Sequence, residues 1–368
     1  MLTCKKEKTI TKEYLTNYYL NFDINELSIK NKDKKKIKIM SLFSGCGGMD
    51  LGFLLSENNR FFFDITWAND YEASACKTFK ENFKHDIVCD DIWNYDLNNT
   101  PKIDIIIGGF PCQDFSILRG DKRSGFNSKR GLLYTKFVEA VELKQPLFFI
   151  AENVKGLLTS HKGWAIKKIK EDFSAISPFG YNVQHKLINF ANFGVPQNRE
   201  RIVIIGVRRD LDIHFEFPEE TNKNDHMTVK TAFSSVENAK YNNEKLRMLQ
   251  STKDKLKHIP PGGNYKYIPE HNFRNWMSLI YKRTHPNKPS PTIVACGGGG
   301  TWGYHFKKLR SLTNRERARI QTFPDSFVFY GTTTEIRKQI GNAVPPLGIK
   351  PIGEKILESI KKYNININ

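Results

Sequence analysis

Four short segments of this chain carry side chains able to do chemistry. The first is Gly108-Gly109-Phe110-Pro111-Cys112-Gln113, directly after the apolar run Ile103–Ile107. A cysteine past the carboxyl end of a strand, aimed by a rigid proline, is placed for nucleophilic attack. A free thiol is mostly protonated at neutral pH and needs nearby positive charge or helix dipoles to react. Burial as a small hydrophobe is the usual fate of a cysteine, and the residues alone leave both readings open. The second segment, Glu152-Asn153-Val154, also follows an apolar run and offers a carboxylate; a helix cap by Asn153 is the alternative. The third, Gln197-Asn198-Arg199-Glu200-Arg201, brings two guanidinium groups to the start of another run. It suits a base or phosphate, or else an exposed salt-bridged turn. The fourth is Leu42-Phe43-Ser44-Gly45-Cys46-Gly47-Gly48, where glycines let backbone N–H groups approach a ligand at a helix start. It lacks the last glycine of Gly-x-Gly-x-x-Gly, since Asp50 stands there, and no Gly-Lys-Ser/Thr follows. A ligand-free turn is the other reading. Asp70, about 20 residues on, ends the next apolar run, where a carboxylate binds ribose hydroxyls. Loop and acid together suggest an adenosine-containing cofactor that bears a carboxylate rather than a pyrophosphate.

These residues need a scaffold that brings strand ends together. The apolar runs Ile37–Phe43, Phe61–Trp67, Ile103–Ile107, Leu147–Ile150 and Ile202–Val207 read as strands. Between them lie helical stripes: Ala73, Cys76, Phe79 and Phe83; then Leu133, Phe137, Ala140 and Val141; then Ile166, Ile169, Phe173 and Ile176. The alternation predicts an α/β fold with a doubly wound, mostly parallel sheet, whose ligands sit at the carboxyl ends of the strands. Four parts are expected. Residues 1–36 form a basic extension, in which 9–29 suit a short helix and a solvated extension is favoured over an arm on phosphates. Residues 37–217 form the cofactor-binding catalytic domain. Residues 218–336 are turn-rich, with Pro260-Pro261-Gly262-Gly263 and glycines at 297–300, and form a smaller irregular domain with its supporting segment. Residues 337–368 return to the first domain, with a helix from about Pro351.

The 368 residues, 39% of them hydrophobic, can bury a large core. A formal net charge of +18 fits a polyanionic partner, though a composition rich in Lys, Asn and Ile is a second account. The six cysteines (Cys4, Cys46, Cys76, Cys89, Cys112 and Cys296) contain no Cys-x-x-Cys pair and no zinc-like spacing, so no metal is expected. No bilayer-length apolar run and no apolar leader core is present, and a soluble cytoplasmic protein is expected.

Taken in order, the segments closely resemble the cytosine-5 DNA methyltransferases of bacterial restriction–modification systems. Phe43, Ser44, Gly45, Cys46, Gly47 and Gly48 resemble the loop that binds S-adenosylmethionine. Asp70-Tyr71 resembles the pair on ribose and adenine; Asp91-Ile92 and Leu133 resemble further adenine contacts. Gly109, Pro111 and Cys112 match the nucleophile loop, Glu152 the base-binding acid, and Gln197, Arg199 and Arg201 the Gln-x-Arg-x-Arg motif. Arg310 to Phe327 resembles the support of the recognition domain, and Gln339 to Val344, with Asn342, Ala343 and Val344, the closing motif that completes the cofactor pocket. Pro291-Thr292-Ile293 resembles the recognition-domain signature. Ser41 stands where an Asp commonly precedes Leu-Phe, and Asp70 replaces the commoner Glu.

The resemblance implies double-stranded DNA with a flipped cytosine as substrate. It implies attack by Cys112 on carbon 6, assistance from Glu152, and Arg201 on the base oxygen with Arg199 in support. Gln113, Ser116, Arg119, Gln197, Arg274, Asn275 and Thr292 are the expected DNA contacts, and the loop from Ile117 to Arg130 is expected to close over the base. A monomer is expected, with a restriction endonuclease as a possible companion at the same site. The rival readings are an RNA cytosine-5 methyltransferase, a DNA-binding regulator without catalysis, and a dinucleotide oxidoreductase. The transfer-RNA branch carries Cys-Phe-Thr in its second domain, which this chain lacks.

Overall fold

The structure is a computed structural model that describes residues 9–27, 31, 33–110, 133–269, 278–295 and 303–367. Helix α1 (Lys12–Asn21) precedes β1 (Lys35–Leu42), α2 (Gly48–Leu54), β2 (Phe61–Asp70), α3 (Ala73–Phe83), β3 (Val88–Cys89) and β4 (Ile105–Gly108). Then come α4 (Leu133–Lys144), β5 (Phe148–Val154), α5 (Trp164–Ala175), β6 (Tyr181–Asn189) and β7 (Glu200–Arg208). The remainder carries α6 (Val229–Ala232), α7 (Gln250–Lys257), α8 (Asn314–Ile320), α9 (Thr333–Asn342) and α10 (Pro346–Lys362).

The strands form one seven-stranded sheet in the order β3-β2-β1-β4-β5-β7-β6. Pairs from β3 to β5 are parallel, and β7 runs antiparallel to both β5 and β6. Alternate residues of each central strand therefore face opposite layers. Ile37, Ile39, Ile105 and Ile107 pack with Phe53 of α2 and Ile349, Ile352 and Ile356 of α10. Met40, Leu42, Ile106 and Phe149 pack with Phe137 of α4 and Ile169 and Phe173 of α5. Helices cover both faces, so a strand run can be almost wholly apolar. The α/β sheet is as expected from the sequence.

Four details correct the sequence reading. Strand β6 was not anticipated: its side chains are mostly half-buried at the sheet edge, so Tyr181–Asn189 lacks an apolar run. In α3, Ala73 is exposed, and the inward stripe is Ala75, Cys76 and Phe79. Helix α10 starts at Pro346, where a missing N–H costs nothing, and passes through Pro351. The N-terminal helix is no solvated extension. Leu15, Tyr18 and Tyr19 are buried against the segment around α8. The Tyr19 hydroxyl donates to Arg319 O (2.5 Å), Asp325 N donates to Tyr19 O (2.9 Å), and Ser326 Oγ donates to Phe22 O (2.7 Å).

The segment around α8 is held by buried arginines. A Thr313–Glu316 capping box starts the helix. Arg315 donates to Pro324 O and Phe327 O, and Arg319 pairs with both oxygens of Asp325. Paired and fully hydrogen-bonded, such charges fix one arrangement rather than add net stability. A small cluster of Leu256, Ile259, Tyr265, Ile280, Tyr281 and Tyr304 forms the core of the turn-rich part.

Candidate active site

The carboxyl ends of β1, β2, β4 and β5 open into one cavity of about 660 Å³. Its wall begins where β1 ends. Phe43 and Gly45 both take positive φ (56° each), and Gly47 turns the chain at φ 86° into α2. A Cβ on Gly47 would lie 2.2 Å from the Phe83 ring, so this glycine shapes the turn but does not line the cavity. Gly48 is needed for a close approach: a Cβ there would lie 2.4 Å from Val344 O. The segment after α9 thus reaches the cofactor loop directly through Val344, 296 positions along the chain from Gly48.

Asp70 ends β2. Its Oδ2 accepts from Gly45 N (2.8 Å) and its Oδ1 from Glu72 N (2.9 Å). Each carboxylate oxygen keeps a second lone pair, so the acid can hold the loop and still meet a ribose diol. Burial raises its pKa, and the N–H groups of Glu72 and Gly45 oppose that rise. Phe43, Ser44, Gly45, Cys46, Gly48, Asp70, Tyr71, Asp91, Ile92, Gly109, Leu133, Asn342, Ala343 and Val344 all line the cavity. Of these, Cys46 turns its buried thiol to Gln339 O (3.7 Å) and contributes packing. Tyr71 is 58% exposed at the rim, ready to cover an aromatic ring.

The same cavity contains the acid and the arginines. Glu152, near the end of β5, faces Arg201 at the start of β7, with Glu152 Oε1 3.0 Å from Arg201 Nε. The antiparallel register explains the meeting, since Val154 pairs with Arg201 and Glu152 with Val203. Burial raises the Glu152 pKa, and Arg201 and then Arg199 pull it back. A carboxyl so balanced can carry a proton at a pH where a free one could not. Arg199 is 2% exposed and donates to Gly341 O (3.1 Å), Ile293 O (3.4 Å) and Asn342 O (3.5 Å). It therefore ties three segments together behind Glu152, in a supporting place.

Asn153 was read as an acid's neighbour or a helix cap. It instead donates to Phe110 O (2.8 Å), fixing the chain two residues before Cys112. Cys112 and Pro111 lie outside the described residues, as do Gln113, Ser116, Arg119, Arg274, Asn275, the loop from Ile117 to Arg130 and the glycines at 297–300.

Gln197 was expected at the DNA, and the structure employs it otherwise. Its side chain is fully buried, accepts from Ile293 N (2.8 Å) and donates to Gln321 Oε1 (2.8 Å). Gln321 in turn donates to Ile340 O (2.6 Å) and Ala343 O (3.2 Å). Both amides are committed, so Gln197 joins the two parts of the chain and presents nothing to a ligand. Thr292 donates to Asn198 O (2.7 Å) beside a second, open depression lined by Val154, Lys155, Asn189, Asn198 and Arg201. The sequence reading also missed the clasp over the cavity. Lys338 of α9 pairs with Glu72, while Gln339 accepts from Thr78 Oγ1 (2.8 Å) and donates to Tyr330 O (2.9 Å).

The family model for C-5 cytosine-specific DNA methylases matches residues 37–358. The chain belongs to that family. This methylase has relatives of nearly its own length. The type II methyltransferase M.NgoFVII of Neisseria gonorrhoeae is 47% identical over 90% of this chain and 89% of its own. The type II methyltransferase M.BbvI of Brevibacillus brevis is 40% identical over 89% and 92%. Among solved structures, the S. pombe Dnmt2 methyltransferase matches with a TM-score of 0.63 at 16% identity, over 89% of this chain and all of that one, a likeness of fold. Among the described residues of this methylase, no helix is long and apolar enough to cross a membrane.

Proposed function

We infer that this methylase modifies carbon 5 of a flipped cytosine in duplex DNA through a covalent bond to Cys112, with S-adenosylmethionine as the methyl donor. The carrying observation is the shared cavity. Glu152 and Arg201 meet at its inner end, and Asn153 pins the chain that leads to Cys112.

The residues present fit the cofactor. Gly48 and Gly108 let the wall pack closely, where a Cβ would strike Val344 O or Leu42 O, Asp70 serves the ribose, and Tyr71, Asp91 and Ile92 serve the adenine. When bound, S-adenosylmethionine supplies a methyl group on a positively charged sulfur. The protein does the rest. The target base leaves the stack, at a cost of a few kcal/mol. Cys112 Sγ adds to carbon 6, and Glu152 delivers a proton to ring nitrogen 3, which takes up the electron pair displaced from the ring. Arg201 holds the base oxygen. With its aromaticity broken, carbon 5 becomes nucleophilic and accepts the methyl. As the methyl arrives Glu152 takes back the nitrogen-3 proton; a water then accepts the carbon-5 proton, which restores the double bond and expels the Cys112 thiolate. Splitting substitution into addition and elimination is the gain of covalent catalysis.

Residues 218–336 read the DNA sequence, with Thr292 on the backbone beside the base and Arg274 and Asn275 in the groove. Residues 337–368 return to close the cofactor cavity, and the loop of 117–130 covers the flipped base. The enzyme acts as a cytoplasmic monomer and shields host DNA from a companion endonuclease.

DNA containing 5-fluorocytosine tests the nucleophile, because fluorine at carbon 5 blocks the elimination. With S-adenosylmethionine present, a denaturation-resistant protein–DNA adduct mapping to Cys112 is expected. No adduct, or one at another residue, overturns the assignment.

A further inference from the structure

The cofactor cavity is acidic, and among the described residues its acids are engaged with one exception. Asp70 accepts from two backbone N–H groups, and Glu72 is paired with Lys338. Asp90 accepts from Asp91 N and Asn94, Asp91 from Trp93 N, and Glu335 from Thr332 N. Glu152 faces Arg201. Asp50, in the first turn of α2, lines the same cavity, is 0% exposed, and has no hydrogen-bond partner for either carboxyl oxygen. The groups facing it are the Ser41 hydroxyl from β1, its own backbone N–H, the Cys46 thiol from the loop and the Asp70 carboxyl from β2; among the described residues none is a cation. Burial pushes its pKa up to about 7, with the Ser41 hydroxyl and the Asp50 N–H opposing and Asp70 adding. A buried carboxyl without a partner costs more than the net worth of an ordinary hydrogen bond, so its presence calls for a reason.

We propose that Asp50 is a positioning residue whose carboxylate receives the ammonium group of the cofactor's methionine end. This rests on the cavity being the S-adenosylmethionine site. Asp70 then fixes the ribose and Glu152 marks the reacting end. The wall left for the amino-acid part is the loop at Cys46 and Gly48, with Asp50 beneath it and Ala343 and Val344 across from it. Among the described residues the cavity's cations are already engaged, Lys338 by Glu72, Arg201 by Glu152, and Arg199 by the carbonyls of Ile293, Gly341 and Asn342. A ligand cation is therefore the complement that the site lacks. The residue also explains why Ser41 is tolerated where an Asp is common: a second acid at that position would place two carboxylates side by side in a dry site.

The test is calorimetric binding to the full chain, with no reaction involved. Three ligands are compared: S-adenosylhomocysteine, its deaminated analogue that lacks only the amino group, and 5'-methylthioadenosine, which lacks the amino-acid end. The wild-type chain should bind S-adenosylhomocysteine about tenfold to a hundredfold more tightly than the deaminated analogue, the range of a charge-assisted hydrogen bond. Asp50→Asn should erase that preference and leave 5'-methylthioadenosine within about twofold of wild type. Equal wild-type binding of the first two ligands overturns the proposal whether or not the variant folds. So does an Asp50→Asn chain that weakens all three alike, which would mark a purely structural role. A wild-type chain that binds none of the three overturns the cofactor reading itself.

Discussion

Substituting Gly48 by alanine probes how the far end of the chain completes the cofactor cavity. The added Cβ would stand 2.4 Å from Val344 O, 3.0 Å from Ala343 Cβ and 3.3 Å from the Phe323 ring. Ordinary carbon contacts lie at about 3.5–4.0 Å, so the segment after α9 must retreat by roughly 1 Å. Overpacking of this kind costs about 1–3 kcal/mol. Alanine in place of glycine returns up to about 1 kcal/mol through helix propensity. Global stability should therefore fall only slightly. Cofactor affinity keeps the whole penalty, because Asn342, Ala343 and Val344 line the cavity. At about 1.4 kcal/mol per factor of ten, S-adenosylhomocysteine should bind about 5- to 150-fold more weakly. Calorimetry on Gly48→Ala reads this, with Gly156→Ala as a control, since the nearest atom there is 4.0 Å away. A Gly48→Ala chain that binds as tightly as wild type would refute the argument that the closing segment forms the cavity wall.

Other expectations follow from the same contacts. Glu152→Gln keeps the shape but cannot deliver a proton, so turnover should fall by about 10²–10⁴-fold with little change in cofactor binding. Because burial raises the Glu152 pKa, the wild-type rate should survive to a higher pH than a normal carboxyl allows and then fall as the acid ionises. Asp50 gives a stability signature in the ligand-free chain. Its folded pKa of about 7 lies above its unfolded value, so its contribution is complete below about pH 4 and is lost as pH rises to 7. Asp50→Asn should come closest to wild type in denaturant melts at or below about pH 4 and exceed it at pH 8 by on the order of a few kcal/mol. Leu15→Ala, at a fully buried site, should cost about 2–5 kcal/mol in the same melts; a negligible loss would show that α1 is a loose appendage.

The catalytic edge was legible because it obeys a rule of sheets. Asp70, Gly109 and Glu152 each follow an apolar run, and parallel strands gather such ends on one side. What stayed hidden depends on distant pairing. Tyr181–Asn189 has no apolar run because it closes the sheet at an edge, beside a strand that reverses direction. Gln197 looked like a contact residue, and only its meeting with Gln321, 124 positions on, reveals an internal brace. Asp50 looked like a defect in a glycine pattern, and its meaning comes from burial without a partner. The tyrosines of α1 gave too short a stripe to announce that they pack against Arg319 and Thr322.

The central claim is transfer of a methyl group to carbon 5 of cytosine in duplex DNA. Tritiated methyl transfer from S-adenosylmethionine, with duplex DNA and transfer RNA offered side by side, tests it most directly. The account predicts label in DNA alone, recovered as 5-methylcytosine and abolished in Cys112→Ala. Label in transfer RNA with none in DNA, or full activity in Cys112→Ala, would contradict it.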